Sequence, residues 1–152
     1  MNKGRVVAAG FAIALALVAT WEGLRLIDYR DPIGIPTACY GHTGPDVELG
    51  KQRTAKECRA LLSKDLQEAW DGVDRCITVL LEPQQHAAFA SFAFNVGVSA
   101  FCRSTLVRLA NAGNIPAACD QLLRWKFAGG KALPGLIRRR EAERRVCLGG
   151  EP

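Results

Sequence analysis

The chain has 152 residues, of which 23% are charged and 49% hydrophobic, and this composition excludes a disordered chain and a protein with several membrane spans. The length suits a single domain with a hydrophobic core. A net charge of +5 indicates an anionic partner, which leaves nucleic acid, an anionic membrane face and an acidic cell-wall polymer as candidates.

The cysteines indicate an oxidising compartment. There are six of them, no two stand in a CxxC pair, and His42 and His86 are the only histidines. A zinc site would therefore lack its usual ligand spacing, whereas an even cysteine count predicts up to three disulfides in an exported protein. Buried reduced thiols are the alternative. The pairing stays open, although one local pair, Cys76 with Cys102, would flank a predicted central helix.

The N-terminal region predicts contact with a membrane. Lys3 and Arg5 precede 16 residues, from Val6 to Trp21, that carry no charge. Seven of these 16 are glycine or alanine: Ala8, Ala9, Gly10, Ala12, Ala14, Ala16 and Ala19. The run is shorter than the roughly 20 residues of a comfortable span, and a basic start before it is typical of an export signal. Three interpretations remain: a cleaved signal peptide, a buried core helix, and a weak anchor that later leaves the bilayer.

The next segments alternate in type. Apolar spacing over 22–29 predicts a short helix, and the dense proline and glycine of 31–50 predict a small β-hairpin or three-stranded sheet. Thr54 and Glu57 have the spacing of a capping box, and apolar residues at steps of three and four continue that helix to about residue 79.

The C-terminal half is predicted to be helical. Pro83 begins a helix whose residues 87–94 are apolar on nearly every side, so we expect it at the centre of the core. Further helices are expected from Ser104 or Thr105 to 110, from 116 to 125 and from 134 to 148, with a turn at 127–130. The last helix carries five arginines among glutamates, which predicts either a solvated, ion-paired face or a polyanion-binding surface: Arg138, Arg139, Arg140, Arg144 and Arg145.

Glu22, Asp31 and Thr37 are the candidate catalytic residues. Glycoside hydrolysis uses two carboxyl groups on either side of a sugar, and inverting enzymes leave room for a water between them. A glutamate at a helix and an aspartate beside a strand can line the two walls of a cleft, where the Thr37 hydroxyl would hold that water. Two acids nine positions apart are common, however, and surface acids are the ordinary alternative.

The surrounding motifs resemble the phage-type lysozymes of glycoside hydrolase family 24. That family has Glu, eight residues, Asp or Cys, five residues, then Thr, and this chain matches at all three positions. The resemblance continues over about 130 residues through the segments 90–97, 119–122, 128–131 and 135–140. It implies an α+β lysozyme fold, with a small β lobe and a larger helical lobe on either side of the cleft, and a weakly hydrophobic helix at the N-terminus.

The resemblance also implies roles. Glu22 would protonate the leaving oxygen between N-acetylmuramic acid and N-acetylglucosamine, Asp31 would stabilise the positive sugar ring, and Thr37 would hold the attacking water. His42, Gly129, Gly130 and Arg138 are candidates for lining the substrate cleft. The partner would be peptidoglycan, and we expect no metal, no cofactor and no nucleic acid, and a monomer. A non-catalytic wall-binding module is the rival interpretation, disfavoured because all three catalytic positions are occupied.

The N-terminus resembles that of signal-anchor-release endolysins, in which an uncleaved Gly/Ala-rich segment enters the inner membrane and later slips into the periplasm. This implies an anchor at 1–21, with residues 6–21 in the bilayer, and a catalytic domain at 22–152. Glu22 follows the apolar run directly, so an inserted segment would hold it at the membrane, away from Asp31 and Thr37. A caged catalytic cysteine is excluded, since Asp31 occupies that position.

Overall fold

A computed structural model describes residues 3–152, and residues 1 and 2 of the predicted anchor lie outside that range. The chain begins with a 20-residue helix and a two-stranded antiparallel hairpin, followed by a mainly helical remainder. The elements are α1 (Lys3–Glu22), β1 (Arg25–Arg30), β2 (Pro36–Cys39), α2 (Ala55–Cys76), α3 (Pro83–Val96), α4 (Val98–Cys102), α5 (Thr105–Asn111), α6 (Ile115–Gln121), a 3₁₀ turn (Leu122–Arg124), β3 (Phe127–Ala128), β4 (Lys131–Ala132) and α7 (Pro134–Cys147). The predicted α+β class is confirmed.

Local sequence signals fix the ends of the long helices. The Thr54 hydroxyl accepts the Glu57 N–H at 3.1 Å, and the Glu57 carboxylate accepts the Thr54 N–H at 2.7 Å, so the predicted capping box begins α2. Pro83 occupies the first turn of α3, and Gly97, at φ +92°, follows its last residue. Both helices were predicted, although α2 ends at Cys76, three residues before the predicted end.

The predicted helix over 22–29 is wrong. The chain stays helical through Glu22 as part of α1, and Gly23 then takes a left-handed conformation at φ +70° that ends the helix. Residues 25–30 form β1, which pairs with β2 and also bonds to the segment that follows the hairpin. There the Asp28 N–H donates to Lys51 O at 2.9 Å, and the Arg53 N–H donates to Leu26 O at 2.7 Å. Pairing on both edges of β1 therefore outweighs the local helical pattern.

Helix α3 is the centre of the core, as predicted. Its residues 87–93 are buried, and it packs against α1, α2 and α7. Phe92 contacts the rings of Phe101 and Trp125 edge-on, with centroids 6.1 and 5.1 Å apart. This central helix thus joins the N-terminal helix to the C-terminal one.

Helix α1 is buried on one face only. Gly10, Ala14, Leu17 and Val18 are buried, whereas the side chain of Val7 is 51% exposed. By length and composition α1 is apolar enough to cross a membrane. One face of α1 thus belongs to the hydrophobic core, as the core-helix interpretation predicts, while the other face is exposed.

All six cysteines form disulfides: Cys39–Cys58, Cys76–Cys102 and Cys119–Cys147. The predicted local pair is confirmed, and the alternative of reduced thiols is wrong. Each bond closes a loop of 19 to 28 residues, for which chain entropy predicts a stabilisation of about 3 kcal/mol. Cys39–Cys58 ties the end of β2 to the first turn of α2 and forms the small core beneath the hairpin.

A buried ion pair fixes β1 against the loop that follows the hairpin. Arg53 donates to both carboxylate oxygens of Asp28, at 2.9 and 2.7 Å, and Asp28 also accepts the Glu48 N–H at 3.0 Å. The hydrogen bond from Arg53 is the main reason that the pKa of Asp28 is lowered. Because both side chains are buried, removing one partner leaves an uncompensated charge.

We therefore expect Arg53→Met to lower the free energy of unfolding by about 3–5 kcal/mol in urea denaturation. Lys51→Met is the matched control, since the Lys51–Glu48 pair is solvent-exposed and its loss costs about 0.5 kcal/mol or less. Equal losses in the two variants would contradict this role for the buried pair.

Candidate active site

Glu22 ends α1 and faces two distant parts of the chain. Its Oε1 accepts a hydrogen bond from Nη1 of Arg139 in α7 at 2.7 Å, and its side chain is 22% exposed. Its Oε2 lies 3.3 Å from the position that a Cβ on Gly41 would occupy. The carboxylate is therefore oriented by α7 on one side and meets bare backbone of the β lobe on the other.

Arg139 is held by a buried network. Its Nε donates to Oε1 of Glu143 at 3.1 Å, and its Nη2 donates to the carbonyl of Ser91 at 3.3 Å. Glu143 also accepts from the Ser91 hydroxyl at 2.8 Å and from Arg140 at 2.5 Å. Burial lowers the pKa of Arg140, although Glu143 acts in the opposite direction. Because every partner is fixed inside the core, the guanidinium facing Glu22 has little freedom to move.

This network corrects the prediction of a solvated arginine face on α7. Arg139, Arg140 and Glu143 are buried inside the protein. The surface interpretation holds for Arg144, which pairs with Asp120 at 2.7 Å on the outside. The sequence contained a usable signal, since Glu143 follows Arg139 by four residues and Arg140 by three, the spacing of ion pairs on one helix face.

Asp31 and Thr37 are joined through the backbone of Ile35. Oδ1 of Asp31 accepts the N–H of Ile35 at 2.8 Å and that of Ile33 at 3.0 Å, and the Asp31 N–H donates back to Ile35 O at 2.9 Å. The Thr37 hydroxyl donates to the same Ile35 carbonyl at 2.8 Å. The turn between β1 and β2 thus orients the carboxylate and the hydroxyl together.

A tight turn after β2 connects Thr37 to the surroundings of Glu22. Ala38 and His42 exchange backbone hydrogen bonds at 2.8 Å, which closes residues 38–42 into a loop. Gly41 adopts φ +80° there, a conformation suited to glycine, and approaches Glu22. A recess of about 280 Å³ opens beside Gly41, between this loop and α2, α3 and α4. Thr37 thus lies in β2, immediately before the loop that reaches Glu22.

His42 anchors the loop to the helical lobe. Its Nδ1 lies 2.7 Å from Oδ2 of Asp65 in α2, and its Nε2 lies 3.0 Å from Oδ1 of Asp46. Burial lowers the pKa of His42, but hydrogen bonds and charge from Asp46 and Asp65 outweigh burial, so the pKa is raised. The imidazole is thus an ionic link between the two lobes, beside the predicted catalytic residues.

The remaining predicted substrate residues lie elsewhere. Gly129 and Gly130 form the turn of the short β3–β4 hairpin, and Arg138 is exposed on α7, next to the buried Arg139. Their role in binding stays a prediction. The arginine of α7 predicted to line the cleft is Arg138, whereas the arginine that contacts Glu22 is Arg139.

Comparison with known proteins gives consistent matches. Residues 19–143 match the family model described as phage lysozyme, a range that includes Glu22, Asp31 and Thr37. The SAR-endolysin of Bacteriophage PS119 is 44% identical over 158 aligned positions, which cover 99% of this chain and 95% of that protein.

Solved structures agree with these matches. A mutant of P22 lysozyme superposes with a TM-score of 0.83 at 39% identity, covering 90% of this chain and 95% of that one. The active form of the P1 phage endolysin Lyz superposes with a TM-score of 0.81 at 26% identity, covering 90% of this chain and 83% of that one.

The His42 link predicts a characteristic pH dependence. Because its folded pKa is above the ordinary value of 6.5, its contribution to stability is complete below that value and is lost as the pH rises through the folded pKa. We expect the stability difference between wild type and His42→Gln to be largest near about pH 5 and to shrink as the pH rises past neutrality.

His86→Gln is the matched control. Burial lowers the pKa of His86, which stacks on Trp70 at 3.6 Å, so its contribution is present at high pH and is lost as the pH falls. Urea denaturation of both variants across the pH range should therefore give opposite trends. A His42→Gln difference that is constant with pH would contradict the ionic link.

Proposed function

This chain belongs to the phage lysozyme family, and on that premise we propose that it is a signal-anchor-release endolysin. Its substrate would be peptidoglycan, in which it hydrolyses the β-1,4 bond between N-acetylmuramic acid and N-acetylglucosamine during host lysis. The observation that carries the catalytic part is the orientation of Glu22 by Arg139, opposite the loop 38–42 that directly follows Thr37.

The proposed reaction is inverting. Glu22 protonates the glycosidic oxygen, Asp31 stabilises the positive charge that develops on the sugar ring, and Thr37 holds a water for attack on the opposite face. Four hydrogen bonds support this division of roles. Arg139 fixes the direction of the Glu22 carboxylate, the two N–H donors at Oδ1 fix Asp31, and the Ile35 carbonyl fixes the Thr37 hydroxyl. Gly41 leaves Oε2 of Glu22 uncovered by any side chain at that position.

The proposed anchor comprises residues 1–21 and the catalytic domain residues 22–152. Its support is the outward face of α1. A surface helix of a soluble protein normally carries charged residues on its solvent side, yet α1 has no charge from Val6 to Trp21 although only one face is buried. A second environment, the bilayer, accounts for an apolar outward face. The protein would then be tethered in the inner membrane, and later act as a periplasmic monomer.

Tethering would keep the enzyme inactive because Glu22 is the last residue of α1. When residues 6–21 lie in the bilayer, α1 cannot also pack against α3, so Glu22 is separated from Arg139 and Gly41. On release, α1 would pack against the catalytic domain, and Glu22 would reach Arg139 and Gly41 at the same time. The docked arrangement of α1, together with the similarity to the active form of the P1 endolysin, supports assigning this conformation to the released enzyme.

We expect Glu22→Gln to lower the rate of clearing of permeabilised cells by at least about a hundredfold, because the amide cannot deliver a proton. The melting temperature of the purified protein checks that the variant is folded. Clearing at the wild-type rate by a folded Glu22→Gln protein would exclude Glu22 as the acid.

Arg139→Lys tests the orientation of Glu22. Lysine keeps the charge but not the planar fork that reaches Glu22, Glu143 and Ser91 together, so we expect clearing to fall about tenfold to a hundredfold. Arg145→Lys is the matched control, since Arg145 is exposed near the end of the same helix and has no proposed role in the site. If the two variants clear at the same rate while both remain folded, Arg139 does not position the acid.

A further inference from the structure

The two faces of α1 differ in burial, and therefore in the size of side chain that each can accommodate. The face against the body consists of Gly10, Ala14, Leu17 and Val18, which are buried. The outward face includes Val7, Ala8, Ala9, Ala12 and Ala16, which are exposed. Small residues therefore occur on both faces, but only those at positions 10 and 14 are enclosed by other atoms.

Gly10 is the point of closest approach between α1 and the body. A Cβ built on Gly10 would lie 2.9 Å from Cη2 of Trp70, 3.0 Å from the carbonyl oxygen of Pro83 and 3.3 Å from its Cα. Two of these three atoms are backbone at the start of α3. That backbone is fixed by the reciprocal cap between Glu82 and Gln85, so it cannot easily move away.

Trp70 has little room to yield either. One face of its indole stacks on His86, with centroids 3.6 Å apart and planes within 10°, and the ring of Phe11 meets it edge-on at 5.4 Å. Ala14, one turn after Gly10, is completely buried. A methyl or larger group added at either position would therefore overfill a packed contact.

A bilayer does not distinguish these faces, because transfer into lipid depends on the summed hydropathy of the segment. Docking on α2 and α3 does distinguish them, since the small residues at positions 10 and 14 are enclosed and those on the outward face are not. The equilibrium between tethered and released protein depends on the free-energy difference between the two states. A change in either the free energy of membrane insertion or the free energy of docking therefore shifts it.

We propose that Gly10, packed against Trp70 and Pro83, and the buried Ala14 one turn later form a docking face that draws α1 out of the membrane and onto α2 and α3. Small size at these positions sets the strength of docking, and low hydropathy elsewhere in the segment sets the ease of leaving the bilayer. This inference rests on the proposed function. According to this inference, the active site is completed because α1 packs on α2 and α3 and because its anchoring in the bilayer is weak.

The sharpest test exchanges neighbouring residues so that the composition of the anchor is unchanged. Ala9→Gly combined with Gly10→Ala moves one methyl group from the exposed face to the docking face while keeping hydropathy and helix propensity constant. The control, Val7→Ala combined with Ala8→Val, moves two methyl groups between exposed positions. The readout in intact cells is the membrane-bound and soluble fractions of the full chain, before and after an uncoupler collapses the membrane potential.

We expect all three proteins to be equally membrane-bound beforehand. Afterwards, the ratio of soluble to membrane-bound protein should fall at least about fivefold for the exchange at positions 9 and 10, the effect of inserting one methyl group into a packed contact. The control should stay within about twofold of wild type. Wild-type release by the variant exchanged at positions 9 and 10 would overturn the inference. A wild-type chain that is soluble from the outset would instead overturn the proposed function.

A second pair of variants separates the effect of docking from the effect of hydropathy. Ala12→Leu and Ala14→Leu add the same hydropathy to the anchor, but residue 12 is exposed and residue 14 is enclosed in the docked state. Greater retention of Ala14→Leu in the membrane supports the docking face. Equal retention of the two variants shows that hydropathy alone controls release, and the inference then fails.

Discussion

The proposed active site depends on one ion pair between the first and last helices. Arg139 in the last helix holds Glu22 at the end of the first helix, 117 positions away in sequence. The pair joins two helices that both pack against α3, and Glu143 and Ser91 hold the arginine from inside the core. The placement of the proposed acid is therefore a consequence of the completed fold, and any state that displaces α1 also displaces Glu22.

The proposed function requires helix α1 to suit two environments, the bilayer and the body of the enzyme. A helix optimised for the surface of a soluble protein would carry charges outward, and one optimised as an anchor would have an uncharged run longer than 16 residues and richer in leucine. This helix has neither property. Its apolar outward face, its weak hydropathy and the enclosed Gly10 and Ala14 are consistent with a segment whose two states are close in free energy.

The parts of the fold that local sequence determines could be predicted. The capping box at Thr54, the first-turn Pro83 and the uniformly apolar stretch over 87–94 each indicated a helix that the structure contains. The triad spacing identified Glu22, Asp31 and Thr37 as candidates, and the structure explains how two of them are joined, through Ile35.

What could not be predicted depends on contacts between distant residues. The segment 25–30 is a strand because it pairs with β2 and with the loop at Lys51 and Arg53, partners that a local pattern does not include. The burial of Arg139 was missed for a related reason. An arginine beside a glutamate normally indicates a solvated pair. The charged pair is buried here because Glu22 and Ser91, which are distant in sequence, supply further hydrogen bonds to it.

The central claim is that α1 moves as a unit from the bilayer to the body and carries Glu22 to Arg139. The most direct test is the distance between spin labels, introduced as an unnatural amino acid at Ala12 on the outward face of α1 and at Leu80, which is 96% exposed in the loop between α2 and α3. The account predicts one narrow distance distribution in the released protein and a different, broader one in membrane vesicles. The same narrow distribution in both states would contradict it.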